Sequence, residues 1–199
     1  MKSDTGTVRI MGLDTVVGVV RELHERGAKS GCHLMSIRDG GYMAGTRLGR
    51  CYFEIDASNV FESIMPVVMD DIRVPAMGGW LYPEDGRVPP SRETIGAALD
   101  WARDKRNVIV HCTAGVSRSS AMAILIDYER DRDIKRVLAE TVNPDLHSPN
   151  PLVLEHGFSI LGEPTRMYEV VCHFQLEQSV RKDDKSIVKK DRSITKGSR

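Results

Sequence analysis

Between residues 107 and 130 the chain passes from a short β-branched run into a nine-residue loop and then into an apolar helix. Asn107-Val108-Ile109-Val110 suits a buried strand, and Ser119 to Arg130 is helix-prone and mostly apolar until its last turn. The loop between them reads His111-Cys112-Thr113-Ala114-Gly115-Val116-Ser117-Arg118-Ser119. A strand, a tight loop and a helix start in that order demand a helix N-terminus at the end of a strand. There the free backbone N–H groups and the positive end of the helix dipole favour an anion, either a bound phosphate or a sulfur in its thiolate form.

Each residue type in the loop has a chemical reason to be there. A helix N-terminus and nearby cationic donors bring a cysteine pKa from about 8.5 into the range of roughly 3.5 to 7.5, which makes Cys112 the candidate nucleophile. Gly115 lets the backbone take conformations closed to other residues, so that successive N–H groups converge as an anion nest. Thr113, Ala114, Gly115, Val116 and Ser117 are the candidate substrate-binding positions of that nest. Arg118 offers a planar fork for two equatorial oxygens of a phosphoryl group, which a lysine point charge does not match. Ser119 puts a hydroxyl beside the sulfur, where it can stabilise the thiolate as a leaving group. His111, just before the nucleophile, is a candidate supporting residue that orients the loop or polarises the sulfur.

The wording His-Cys-x-Ala-Gly-x-Ser-Arg-Ser resembles the protein tyrosine phosphatase superfamily, in the form used by its dual-specificity branch. The resemblance runs from about Met65 to Leu161, and the first sixty residues match only in coarse organisation. It implies an α/β fold with a central, mostly parallel sheet flanked by helices, the phosphate loop lying between a strand and a buried helix. It also implies in-line attack of Cys112 on phosphorus, a phosphocysteine intermediate, and no requirement for a metal or other cofactor. The implied substrate is a phosphorylated protein carrying phosphotyrosine, with or without phosphoserine and phosphothreonine. Phosphoinositide phosphatases of the superfamily place lysines inside the loop, and its RNA triphosphatases end the motif in Asn-Arg-Thr. This chain has neither feature. A phosphate-binding adaptor without turnover is an alternative from another class, although such proteins ordinarily lack the nucleophile or the arginine.

The resemblance also implies a loop aspartate upstream of the nucleophile that protonates the departing oxygen. Two stretches share the frame Asp-x-x-Val-Pro: Asp71-Ile72-Arg73-Val74-Pro75 and Asp85-Gly86-Arg87-Val88-Pro89. The first follows the apolar run Met65 to Met69. The second follows Tyr82-Pro83-Glu84 and precedes a helix. Asp71 and Asp85 carry nearly equal weight, with Asp70 and Glu84 behind them.

Composition bounds the rest. A chain of 199 residues, 41% hydrophobic, supports one sizeable core. Lys and Arg number 28 against 28 Asp and Glu, so no global charge favours nucleic acid as a partner. Cys32, Cys51, Cys112 and Cys172 form no Cys-x-x-Cys pair, which argues against a disulfide framework or zinc knuckle and for a reducing, cytoplasmic compartment. His24, His33, His147, His156 and His173 show no metal-ligand spacing. Neither an apolar signal region nor a run of about 18 apolar residues is seen, so no membrane span is expected.

Along the chain, strands are expected at Val8 to Met11, Cys32 to Ile37, Arg50 to Ile55 and Met65 to Met69, in addition to the one before the loop. Helices are expected from Asp14, as cap, to Arg26, from Ser91, as cap, through Ala102, over Asp133 to Val142 and over Leu152 to Leu161. Met167, Val170, Val171 and Phe174 mark the inner face of a last helix. Arg38 to Gly41 reads as a turn, and Asn150 as a helix cap. A single phosphatase-type domain is expected over residues 1–180. Residues 181–199 carry eight basic and three acidic residues without periodicity, which reads as a disordered basic tail.

Overall fold

The computed structural model describes residues 6–40, 46–73 and 87–177. Glu84, Asp85 and the basic segment 181–199 lie outside the described residues. Within them, β1 (Val8–Gly12), β2 (His33–Arg38), β3 (Ile64–Val68) and β4 (Val108–Cys112) form one sheet, all parallel, in the order β1-β4-β2-β3. The helices are α1 (Leu13–Glu25), α2 (Arg47–Ala57), α3 (Arg92–Ala102), α4 (Arg118–Asp131), α5 (Ile134–Glu140), α6 (Pro151–Ile160) and α7 (166–177). The architecture is thus the expected α/β sheet flanked by helices. No helix among the described residues is long and apolar enough to cross a membrane.

Strand alternation divides the core in two, because successive side chains of a strand point to opposite faces. On one face Leu34 of β2 and Ile109 of β4 pack with Leu13, Val16, Val17 and Val20 of α1 and Tyr52 and Ile55 of α2. On the other, Met35, Ile37, Val108, Val110 and Cys112 pack with α3, α4, α6 and α7. Every residue of α4 from Arg118 to Tyr128 is buried, as expected of a helix that is apolar nearly all round. β4 lies between β1 and β2, so the loop at its carboxyl end is walled by the ends of both neighbours. Gly157 brings α6 onto α4, since a Cβ there would come within 2.1 Å of Leu125 Cδ1.

Two local expectations are corrected. Arg50 to Ile55 is not a strand but the body of α2. Cys51 to Ile55 imitates a strand in composition, yet Leu48, Tyr52 and Ile55 recur at helical spacing, and Thr46 caps the helix by accepting from the Gly49 N–H at 3.1 Å. Phe53 accordingly projects into solvent, 73% exposed. Asp14 is not the cap of α1. That position is Gly12, with no side-chain capping bond, and the Leu13 N–H donates instead to the Thr113 carbonyl of the reactive loop at 3.1 Å. A tertiary bond has replaced the local one, and Asp14 accepts from Arg47 at 2.7 Å. The expected caps Ser91 and Asn150 are in place, each accepting from backbone N–H groups of its helix. The other expected elements are present with ends displaced by one to a few residues.

Candidate active site

β4 delivers Cys112 to the carboxyl edge of the sheet with its side chain 2% exposed and facing α4. The Ser119 hydroxyl, in the first turn of that helix, lies 3.1 Å from Sγ. Burial pushes the thiol pKa up, but the Ser119 hydroxyl, the backbone N–H groups of Ser119 and Gly115 and the charge of Arg118 outweigh it. The net position is below the ordinary thiol value. His111 points to the opposite face of β4, where Nε2 lies 2.8 Å from the Ser36 hydroxyl. Burial pushes its imidazole down to about 4, so it is neutral at physiological pH and supports the strand end without carrying charge.

The loop turns its carbonyls outward. Those of Thr113, Val116 and Ser117 accept from the backbone N–H groups of Leu13, Ser148 and Asn150 at 3.1, 3.0 and 3.1 Å. In a planar trans peptide the following N–H points the opposite way, so the amides of Ala114, Ser117 and Arg118 are directed away from those neighbours. With the Gly115 and Ser119 amides, which lie near Sγ, they are the N–H groups at the start of α4 that could serve an anion as a nest. Gly115 has φ +75°, and a Cβ there would lie 2.7 Å from the Gly12 nitrogen, so both conformation and space require glycine. Ser117, although at the N-cap position, makes no side-chain capping bond and leaves the helix amides open.

Arg118 is 4% exposed. Its Nη1 donates to Asp39 Oδ1 at 2.6 Å and to the Met69 carbonyl at 2.7 Å. Asp39 Oδ2 also accepts from the Thr113 hydroxyl at 3.0 Å, so one carboxylate braces both ends of the loop. One side of the guanidinium is therefore fixed by the fold, while its buried Nε meets no partner among the described residues. An unpaired buried cationic N–H is costly, and an oxyanion in the nest would satisfy it.

Beyond the end of β3, Asp71 Oδ1 accepts from the Ser117 hydroxyl at 2.7 Å and from Asn150 Nδ2 at 2.8 Å. Arg73 donates to the Ser117 and Ser148 hydroxyls at 3.2 and 3.0 Å and to the Ser148 carbonyl. Asp70 is occupied differently: its two oxygens accept from the backbone N–H groups of Gly40 and Val88 at 3.2 and 2.6 Å. The Asp70 N–H in turn donates to the Val88 carbonyl at 2.7 Å, so the residue just before the first Asp-x-x-Val-Pro stretch is paired with Val88 of the second.

The fold thus brings Cys112, Thr113, Gly115, Ser117, Arg118, Ser119 and Asp71 to one place, with Ala114 exposed and Val116 half-buried on the loop. The hydroxyls of Thr113 and Ser117 are spent on Asp39 and Asp71, which leaves their backbone N–H groups as what these residues can offer an anion. Sequence reasoning missed Asp39, which it placed in a turn, and Ser36. The available signal for both was position at or near the carboxyl end of a strand adjacent to β4, which becomes useful only once the strand order is known.

No protein-family model matches the chain, and no curated protein does. Among solved structures the chain is similar to that of Tk-PTP in the active form, at 13% identity and a TM-score of 0.38, over 85% of this chain and 94% of that one. A likeness at this level fixes neither chemistry nor substrate.

Proposed function

We propose that the protein is a cysteine-dependent phosphatase of the protein tyrosine phosphatase type, in the dual-specificity form. The observation that carries this is the pairing of a buried thiol, lowered in pKa by Ser119, loop amides and Arg118, with a guanidinium braced on one side and, among the described residues, without a partner at Nε. A phosphoryl group seated in the nest would give its oxygens to the amides and to Arg118. Cys112 Sγ attacks phosphorus in line, the ester P–O bond breaks, and the leaving oxygen takes a proton. Water, giving its proton to the carboxylate that protonated the leaving oxygen, then attacks phosphorus; the S–P bond breaks, inorganic phosphate is released, and the Ser119 hydroxyl donates a hydrogen bond to the departing thiolate. Loop amides and Arg118 supply the countercharge, and the loop holds no lysine for extra phosphates. Phosphotyrosine, alone or with phosphoserine and phosphothreonine, is the substrate class this composition supports.

For the proton donor we favour Asp71, whose carboxylate touches the loop through Ser117, over Asp70, whose oxygens are tied to backbone amides. The test is hydrolysis of aryl phosphates in reductant without added metal, comparing wild type with Asp71→Asn and Asp85→Asn. A poor leaving group needs the proton most. Asp71→Asn is expected to lose on the order of 100-fold on phenyl phosphate, much less on 4-nitrophenyl phosphate, while Asp85→Asn is nearly silent on both. The opposite pattern assigns the acid to Asp85, and no hydrolysis by wild type overturns the phosphatase reading.

A further inference from the structure

We propose that Asn150 is a positioning residue for the acid: its amide holds Asp71 against the phosphate loop while its carbonyl caps α6. The inference rests on the reading of Asp71 as proton donor. Asn150 is fully buried. Its Oδ1 accepts from the Leu152 and Val153 N–H groups at 3.0 and 3.2 Å, and its Nδ2 donates to Asp71 Oδ1 at 2.8 Å and to the Ile72 carbonyl at 3.0 Å. Its backbone N–H donates to the Ser117 carbonyl at 3.1 Å. A side-chain amide has two donors and a two-lone-pair acceptor, and all are used. The orientation is unambiguous, because the flipped amide would set donor against donor at the helix and acceptor against acceptor at Asp71.

Capping alone does not demand asparagine, since serine and aspartate cap equally well. Among the common capping residues only asparagine also presents two N–H donors on the far side. Their target is the acid. Asp71 Oδ1 is pinned between Asn150 and Ser117, whereas Oδ2 accepts from no described residue. A proton on this carboxyl group is thereby confined to Oδ2, the oxygen free to deliver it, and the carboxyl plane is fixed relative to the loop that holds the phosphorus. Loss of that orientation slows the step that needs the proton and spares the step that does not.

Asn150→Ser keeps a capping oxygen and removes both donors. It is expected to lower kcat/KM about tenfold on phenyl phosphate and less than about threefold on 4-nitrophenyl phosphate. Placed in the Asp71→Asn background, it should add no loss that depends on the leaving group. An equal loss on both substrates, or a full selective loss added to that of Asp71→Asn, assigns Asn150 a structural role only and overturns the proposal. If Asp71→Asn is itself unselective, the acid assignment fails and the proposal with it; if Asp71→Asn is selective and Asn150→Ser is not, only the proposal falls. Should Asn150→Ser prove unfolded in a thermal melt, Asn150→Thr, which also caps, is uncharged and lacks the amide donors, is judged by the same criteria.

Discussion

Replacing Cys112 by serine is expected to abolish turnover while leaving the fold and anion binding in place. A serine hydroxyl stays protonated in the same nest, because its intrinsic acidity is far too low for Ser119, the loop amides and Arg118 to ionise it. It is therefore a poor nucleophile toward phosphorus, and a phosphoserine formed there would not break down by loss of a stable anion. Loss of a nucleophile costs many orders of magnitude in related two-step hydrolases, and a fall in kcat on the order of 10⁴-fold or more is expected. The loop amides and Arg118 are untouched, so vanadate or a phosphopeptide should still bind. Substantial residual turnover in the serine variant would mean that another group attacks phosphorus.

Arg118→Lys is expected to be almost as damaging as Arg118→Ala. Lysine preserves the charge but offers three donors from one point, whereas Arg118 uses Nη1 for Asp39 and the Met69 carbonyl and has no partner for Nε among the described residues. A lysine ammonium that reached the phosphate would leave the buried Met69 carbonyl and the brace from Asp39 behind; one that held them would not reach the phosphate. Removal of one preorganised donor typically costs about 100- to 1,000-fold, or about 2.7 to 4 kcal/mol. Steady-state kinetics on an aryl phosphate decide the matter. A lysine variant within about tenfold of wild type would show that charge alone suffices.

How much of this was legible depended on whether the determining interaction was local. The succession β4, loop and α4 was readable because β-branched residues, a glycine needing positive φ and an apolar run lie within one short segment. The caps Ser91, Asp133 and Asn150 were equally accessible, each being followed by its own helix. Arg50 to Ile55 was misread because a run of six residues, four of them aromatic or apolar, satisfies the strand pattern as well as the helical one. Only a longer window, from Leu48 to Ile55, favours the helix.

The site residues divide along the same line. Cys112, Arg118 and Ser119 belong to one contiguous motif, so their proximity followed from their spacing. Asp39 is separated from Arg118 by 79 positions, and the bond between them exists because β2 is the sheet neighbour of β4. Asn150 was recognised as a cap, which its Oδ1 is, while its Nδ2 contact with Asp71, also 79 positions away, depends on α6 packing against α4 across Gly157. The ambiguity between Asp71 and Asp85 arose because the same Asp-x-x-Val-Pro frame occurs twice within one region of the sequence.

The central claim is a covalent phosphoryl transfer to Cys112, and mass spectrometry of acid-quenched enzyme during turnover of an aryl phosphate tests it most directly. The predicted result is a phosphoryl adduct on the peptide containing Cys112, stable to acid, formed within the first turnover and absent from Cys112→Ser. Hydrolysis that proceeds with Cys112 unmodified at every quench time, or an adduct on another residue, would contradict it.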